Sequence, residues 1–308
     1  MDPRKLEHFL AVIEHGQFNL AAAANGVSQQ AISKAIAKLE DDLGVTLFER
    51  GPMGATPTPY AKALERRAQL ILAETRLATA ELNALSGAKL GTLNLGVGLT
   101  VARRIMARAI TIFRQQRPGI GISASVETSG MLYTQLLRGE LDMVISAPPL
   151  TLDIDADLRT LPLFLETDRP IVRARHPLAL AAQTRAITMA DLARYPWLTP
   201  RLNVSIWFHI CKAFADAKLA PPTDVLRTDS LPLVLGLMAN EDCICMLGGE
   251  LIAEELQSGK LVMLTVPGLA IEHPATIAFR RTTTLSAPAK AIIPIIREVC
   301  AEYYPSAA

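Results

Sequence analysis

Between Tyr60 and Ser86 the chain carries neither glycine nor proline. This restricts the fold more than any other feature, because a run of that length without a breaker reads as one long helix. Within it Leu64, Ala68, Ile71, Thr75, Ala78, Leu82 and Leu85 follow one another at spacings of four and three. That pattern is about three heptads of a helix–helix seam. Contact with a second copy through Leu64, Ala68, Ile71, Leu82 and Leu85 is the expected use. The alternative is a long helix packed on its own domain.

The run also divides the 308-residue chain. Short helical patterns occupy residues 1–57, the long helix residues 58–88, and an alternation of β-like and helical segments residues 89–308. In the first zone Leu6, Phe9, Leu10 and Ile13 recur at helical spacing up to Gly16. The segment NLAAAANG follows, with Asn19 as a candidate N-cap and Gly26 at its end. After Ser28, a capping serine, comes QQAISKAIAKLE. Two short helices joined by a tight turn form a helix-turn-helix pattern, and VTLFERGPMGATPT beyond Gly44 reads as a wing.

The second of these helices has two distinct faces. At about 100° per residue Ile32, Ile36, Leu39 and Leu43 form one stripe, while Gln30, Ser33, Lys34 and Ala37 lie nearly opposite, with Gln29 on the flank. A glutamine offers a donor and an acceptor together, the pair that reads adenine in the major groove. Ala37 keeps the surface low enough for close approach. Lys34 and Lys38 suit phosphates, which position a helix without reading sequence. A merely solvated polar face is the plainer alternative, and it loses ground to the helix before and the wing after. Bulk charge gives no help. The formal net charge is +1, and in the first sixty residues acidic side chains outnumber Arg4, Lys5, Lys34, Lys38 and Arg50.

In the third zone GTLNLGV, IGISASV and LDMVIS read as strands, separated by helical patterns at Ala102–Gln116 and Met131–Arg138. The same rhythm returns with DRPIVRA, DVLRT, CICML and KLVML, and HPATIAFRR precedes a last helix from about Ala287 to Tyr303. This is the βαβ rhythm of a parallel sheet, in two units consistent with a hinged pair around a cleft.

The stretch LEHFLAVIEHGQFNLAAAANGVSQQAISKAIAKLEDDLGVTLFER resembles the winged helix-turn-helix of LysR-type transcriptional regulators, and GTLNLGV, RGELDMVIS, RHPLA and DLARYPWL follow in that family's order. The resemblance implies an α+β multidomain chain. It has an N-terminal winged helix-turn-helix, a long linker helix, and a C-terminal α/β effector domain like periplasmic binding proteins. Subdomain 1 of the effector domain is expected at about 89–162 and 267–308, subdomain 2 at about 163–266. The resemblance also implies dimers pairing into homotetramers on double-stranded promoter DNA, with RNA polymerase as a candidate partner.

Residue by residue, it sets Gln29, Gln30, Ser33 and Lys34 at the DNA-facing start of the reading helix and Arg50 at the wing. Arg50 reaches phosphate or pairs with Glu49 or Asp42. Departures from the family pattern are Asn25 at a usually apolar position, Gln30 where Pro or Ser is common, Ala61 for a frequent Gly, and a wing poor in basic residues. The family's cleft falls on Thr100, Thr128, Ser129, Pro200, Arg201 and Ser205. Hydroxyls and helix N-termini hold carboxylates well, and arginine pairs with them bidentately, so an organic acid is the expected small-molecule effector. Arg103 and Arg104 are rival anion partners, and Thr128, Ser129 and Ser205 are alternatively plain N-caps.

Other functions find little support. The five histidines stand outside metal-ligand and nucleophile-elbow motifs, so neither catalysis nor a metal or cofactor is expected. Cys211, Cys243, Cys245 and Cys300 lack paired C-x-x-C spacing and read as free thiols. With no apolar run long enough to span a bilayer and no signal-peptide pattern at the N-terminus, a cytoplasmic protein is expected.

Overall fold

A computed structural model describes residues 2–51, 54–85, 92–149, 157–201, 204–281 and 284–304. The N-terminal unit packs helices α1 (Pro3–His15), α2 (Phe18–Ala24) and α3 (Gln29–Leu43) against a hairpin, β1 (Phe48–Gly51) and β2 (Gly54–Pro57). Leu6, Phe9, Val12, Ile32, Ile36, Leu39 and Leu47 are fully buried at its centre. α1 begins at Pro3, with the Asp2 carboxylate accepting from the Arg4 amide. α2 begins one residue before the expected cap: Gln17, in extended backbone, is the N-cap and Asn19 lies inside the helix. Ser28 caps α3 as expected, its hydroxyl accepting from the Ala31 amide, and Gly44 ends α3 in the left-handed region at φ 69°.

One carboxylate joins helix to wing. Glu40 Oε1 accepts from the amides of Leu47 (2.6 Å) and Phe48 (3.2 Å). Thr58 then closes the unit. Its hydroxyl donates to the Thr46 carbonyl and accepts from the Ala61 amide, capping α4 (Pro59–Leu85). The long helix is therefore present, with residues 86–88 outside the described part.

The effector domain is built on a nine-stranded sheet: β3 (Thr92–Gly98), β4 (Gly121–Glu127), β5 (Met143–Ser146), β6 (Leu158–Arg173), β7 (Trp197–Thr199), β8 (Val225–Arg227), β9 (Ile244–Gly248), β10 (Leu261–Met263) and β11 (Ile271–Arg280). The order is β4-β3-β5-β11-β6-β9-β7-β8, with β10 also on β6. The sheet is mixed and corrects the purely parallel expectation. β3 pairs in parallel with β4 and β5, and β7 with β8 and β9, whereas β6 and β11 run antiparallel to their neighbours.

Each end of this sheet carries two clusters of buried side chains, the larger of them the main core of that end. Leu93, Leu95, Ile105, Phe113, Ile145, Leu163, Phe164, Ile277 and Ile296 belong to the first. Val172, Trp197, Ile210, Phe214, Ile244 and Leu264 belong to the second. β6 thus leaves one core after Phe164 and enters the other by Val172, and β11 returns with a register shift between Ala275 and Thr276. α5 (Leu99–Val101) and α6 (Ala107–Gln116) run on through a π-helical turn at Ala102–Met106, and α7 (Ser129–Leu137) starts two residues earlier than its apolar pattern indicates.

Loss of the Glu40 acceptor leaves two amides of the wing without their partner. Glu40→Ala is expected to lower the stability of the N-terminal unit by about 1–3 kcal/mol. Glu40→Gln, which keeps an acceptor, is expected to lose less, as read from urea unfolding.

Candidate nucleic-acid interface and effector cleft

α3 presents the expected face. Gln29, Gln30, Ala31, Lys34, Ala37 and Lys38 are exposed, Ser33 is half-buried, and the apolar stripe faces inward, with Leu43 at its end only half-buried. The N-terminal turn, where backbone N–H groups point outward, is uncovered. Lys38 differs from the expectation of a free phosphate contact: it pairs with Asp42 at 3.2 Å, and Lys5 pairs with the same carboxylate at 2.7 Å. The Lys5 hydrogen bond, then that of Lys38, holds Asp42 below the usual carboxylate range. Arg50 is on β1 opposite Ala55, and its side chain lies outside the described residues. Asp42, one of its candidate partners, already holds two lysines.

The seam on α4 divides by position. Ala68 is fully buried and Leu64 half-buried, both packed into the N-terminal core with Ala61 and Leu72. This corrects the expectation for Ala68, which has no surface left for a second copy. Ile71 and Leu82 are exposed, Leu82 to 66%, and the Leu85 side chain is outside the described residues. Further along, α4 lies on the effector domain: Arg66 pairs with Asp157 at 2.5 Å, and Arg76 donates to the Gly139 carbonyl at 2.9 Å.

Among the expected cleft residues, Thr100 is half-buried beside the end of β3. Thr128 is the N-cap of α7 by position, but its hydroxyl makes no capping bond. Ser129 is the first residue of α7, and its hydroxyl meets that of Ser146, the last residue of β5, at 2.8 Å. Pro200 and Arg201 follow β7. The Arg201 amide donates to Asp229 and its guanidinium, 71% exposed, lies 3.5 Å from the same carboxylate. Ser205 lies just inside the helix Val204–Asp216, and Ser230 caps Leu231–Asn240. A hollow of about 580 Å³ lies elsewhere, among Arg173, Arg175, Gly236, Lys260 and Leu261, and none of the expected cleft residues lines it.

Residues 86–301 match the family model of the LysR substrate binding domain, and residues 3–62 that of the bacterial regulatory helix-turn-helix protein, lysR family. The chain belongs to the LysR family. It is 30% identical to the SDS degradation transcriptional activation protein of a Pseudomonas strain, over 100% of this chain and 99% of the relative. Its identity to the regulator GbpR of Azospirillum brasilense is 31%, over 78% of this chain and 70% of the relative. Solved structures similar in fold include ArgP from Mycobacterium tuberculosis, at TM-score 0.68, 20% identity and 98% of each chain. Full-length OxyR from Pseudomonas aeruginosa has TM-score 0.64 and 22% identity, over 98% of this chain and 95% of that one. This LysR-type chain is accordingly a DNA-binding transcriptional regulator with an effector-binding domain, from a family of regulators and not of enzymes.

Both rival arginines are engaged across the lobes of this LysR effector domain, so neither is a free anion partner. The π-helical turn carries Arg103 to Glu255 (3.0 Å) and Glu254, and Arg104 to the buried Glu250 (2.9 Å). Tyr304 donates to Glu250 at 2.9 Å while stacking on Phe164 at 4.0 Å. Beside them on β6 and β11, His273 Nε2 is 3.2 Å from Asp168, and Glu166 is buried against Gly248. Burial pushes the Glu166 carboxyl up, with the charge of Asp168 adding to it. Burial pulls His273 down, but its hydrogen bond to Asp168 and the surrounding carboxylates outweigh that and leave it raised. No sequence motif announced this cluster, whose side chains come from the π-helical turn, β6, the segment after β9, β11 and the end of the last helix.

Both shifts have one sign. A folded-state value above the unfolded one gives stability that is complete below the unfolded value and lost as pH rises through the folded one. Glu166→Gln removes that loss for Glu166. Its melting temperature is expected to exceed wild type by more at pH 8 than at pH 4, measured by calorimetry.

Proposed function

We propose that the protein binds promoter DNA as a dimer through the N-terminal half of α3, with Gln29, Gln30 and Ser33 on base edges and Lys34, Lys38 and Arg50 toward phosphates. The observation that carries this reading is the exposure of Gln29, Gln30, Ala31, Lys34 and Ala37 on one side of a capped helix whose other side fills the core. Small side chains there let the backbone approach the groove, and glutamine amides supply the paired donor and acceptor for adenine. Lys38 exchanges Asp42 for phosphate when DNA arrives. We assign residues 1–57 to DNA binding, 58–88 to the linker and 89–308 to the effector domain, whose lobes meet within β6 and β11 rather than at 162/163 and 266/267, because Leu163 and Phe164 lie in the first core and Leu269 in the second.

Dimerisation uses the seam of α4, on which Ile71 and Leu82 are exposed and whose spacing Leu64 and Leu85 share, and dimers pair into tetramers. The effector is an organic acid held between the lobes by Thr100, Thr128, Ser129, Pro200, Arg201 and Ser205. Hydroxyls beside helix starts and an arginine of which 71% is exposed support an anion. So does the name of the 30% identical relative, whose regulated process is degradation of SDS, an organic anion. Effector binding shifts the population of lobe arrangements and with it the spacing of two reading helices on DNA, where RNA polymerase is the downstream partner. The site of action is the cytoplasm. Among the described residues no helix is long and apolar enough to cross a membrane.

Gln29→Ala is expected to cost about 1–3 kcal/mol on an operator selected from a random duplex library and to relax preference at one base pair. Lys34→Ala is expected to weaken all duplexes alike and to reduce the salt slope by about 0.9. Titrations by fluorescence anisotropy distinguish the two, and equal uniform losses contradict the assigned roles. Leu82→Asp is expected to shift the chain from dimer toward monomer in light scattering; unchanged mass rejects the seam.

A further inference from the structure

α7 touches three parts of the molecule that the function requires to communicate. At its start, the Ser129 hydroxyl meets Ser146 at 2.8 Å on the side assigned to the cleft. At its middle, the Tyr133 hydroxyl is 3.2 Å from Thr276 Oγ1, which itself donates to the Ser146 carbonyl at 3.1 Å. Thr276 stands at the register shift of β11, the strand that passes between the lobes. At its end, the Gly139 carbonyl accepts from Arg76 of α4.

The far end is a tight fit. Gly139 has φ 76°, and a Cβ added there would stand 2.4 Å from the Ala73 Cβ of α4. Ala73 is itself buried. The turn after α7 is held by Arg280, whose Nη1 donates to the carbonyls of Leu136 (2.8 Å) and Leu141 (2.9 Å). Between the ends, Leu132, Tyr133 and Leu136 are fully buried. A hydrogen-bonded helix of nine residues, about 13 Å long and anchored by three buried side chains, moves as one body.

We infer that α7 is the element through which a change at the cleft or the interlobe strand reaches the DNA-binding arm, with Tyr133 and Gly139 as positioning residues. This rests on the cleft reading above and adds a route to it. A displacement of Ser129 or Thr276 shifts the Gly139 corner, and α4 gives way because backbone and methyl group are already in contact there. The near-absence of side-chain volume at Gly139 and Ala73 is what lets α4 sit on the corner at all.

The test needs no effector, so it stands apart from whether an organic acid is the ligand. Amide hydrogen exchange is followed over Ala73–Thr79 of α4 in the full-length chain, with Leu6–Val12 in the N-terminal core as reference. Gly139→Ala reports direct loss of the contact, and Arg76→Ala reports the same if the first variant does not fold. Tyr133→Phe, remote from α4, is expected to speed exchange over Ala73–Thr79 about fivefold, the factor that one lost hydrogen bond is worth, with the reference unchanged. Ser129→Ala is expected to act in the same direction. If the contact variants speed α4 exchange while Tyr133→Phe and Ser129→Ala do not, α7 is no route. If the contact variants themselves leave α4 unchanged, the corner is not docked in solution and the inference falls as well.

Discussion

β6 and β11 pass through both lobes of the effector domain, and every other strand of the large sheet hangs on them. Their antiparallel pairing runs from Ile271 opposite Asp168 to Arg280 opposite Leu158. Each lobe then adds its own parallel strands outward, β5, β3 and β4 on one side, β9, β7 and β8 on the other. This arrangement lets one sheet serve two hydrophobic cores. The register of the β6–β11 pairing shifts once, between Ala275 and Thr276. Backbone pairing continues across the junction, while the side chains there change from apolar to charged.

That change accounts for the polar cluster at Glu166, Asp168, His273 and Glu250. A buried carboxylate is costly unless paired, and two of these four belong to a strand that must join the lobes. Arg104 and Tyr304 from lobe 1 answer Glu250 from lobe 2, so part of the cost is offset only while the lobes keep their relation. A hydrophobic junction of the same volume would be indifferent to small rotations. A charged one is not, because hydrogen bonds lose strength steeply with distance and angle.

The N-terminal unit was legible in the sequence nearly residue by residue. Its helices announce themselves through Gly16, Ser28 and Gly44, each a local conformational cause acting on its own neighbours. The last helix, Ala287–Tyr303, was equally plain. β6 was not: DRPIVRA marked its second half, while the first half, with Pro162 inside the strand, carries a usual sign against one. β7 was missed, although β8 and β10 are no longer than it, because Pro196 and Pro200 bracket it and read as breakers. The heptad seam was legible as a period and ambiguous as a contact. Ala68 and Ile71 fit one pattern, yet the first faces its own domain and the second faces solvent, and only tertiary packing separates them. The clearest gap lies at the cleft, where the hydroxyl contact of Ser129 with Ser146 joins residues seventeen apart in sequence.

The DNA-facing surface is poor in uncommitted cations. Lys5 and Lys38 share Asp42, acidic residues outnumber basic ones in this part of the chain, and the wing segment GPMGATPT holds no basic side chain. Phosphate contacts supply a large share of the affinity of DNA-binding units, so on the proposed reading a single unit draws little from charge. In the proposed dimer, joining two units through α4 makes the second encounter intramolecular, and the gain depends on whether their separation matches the half-sites. Weak units make that match decisive. A small change in how α4 rests on the effector domain then alters occupancy far more than it would for a unit already held by many phosphates. Sparse charge on the reading surface and a tight corner at Gly139 are in this sense two parts of one design: the first makes binding sensitive to geometry, and the second supplies a geometry that can be changed.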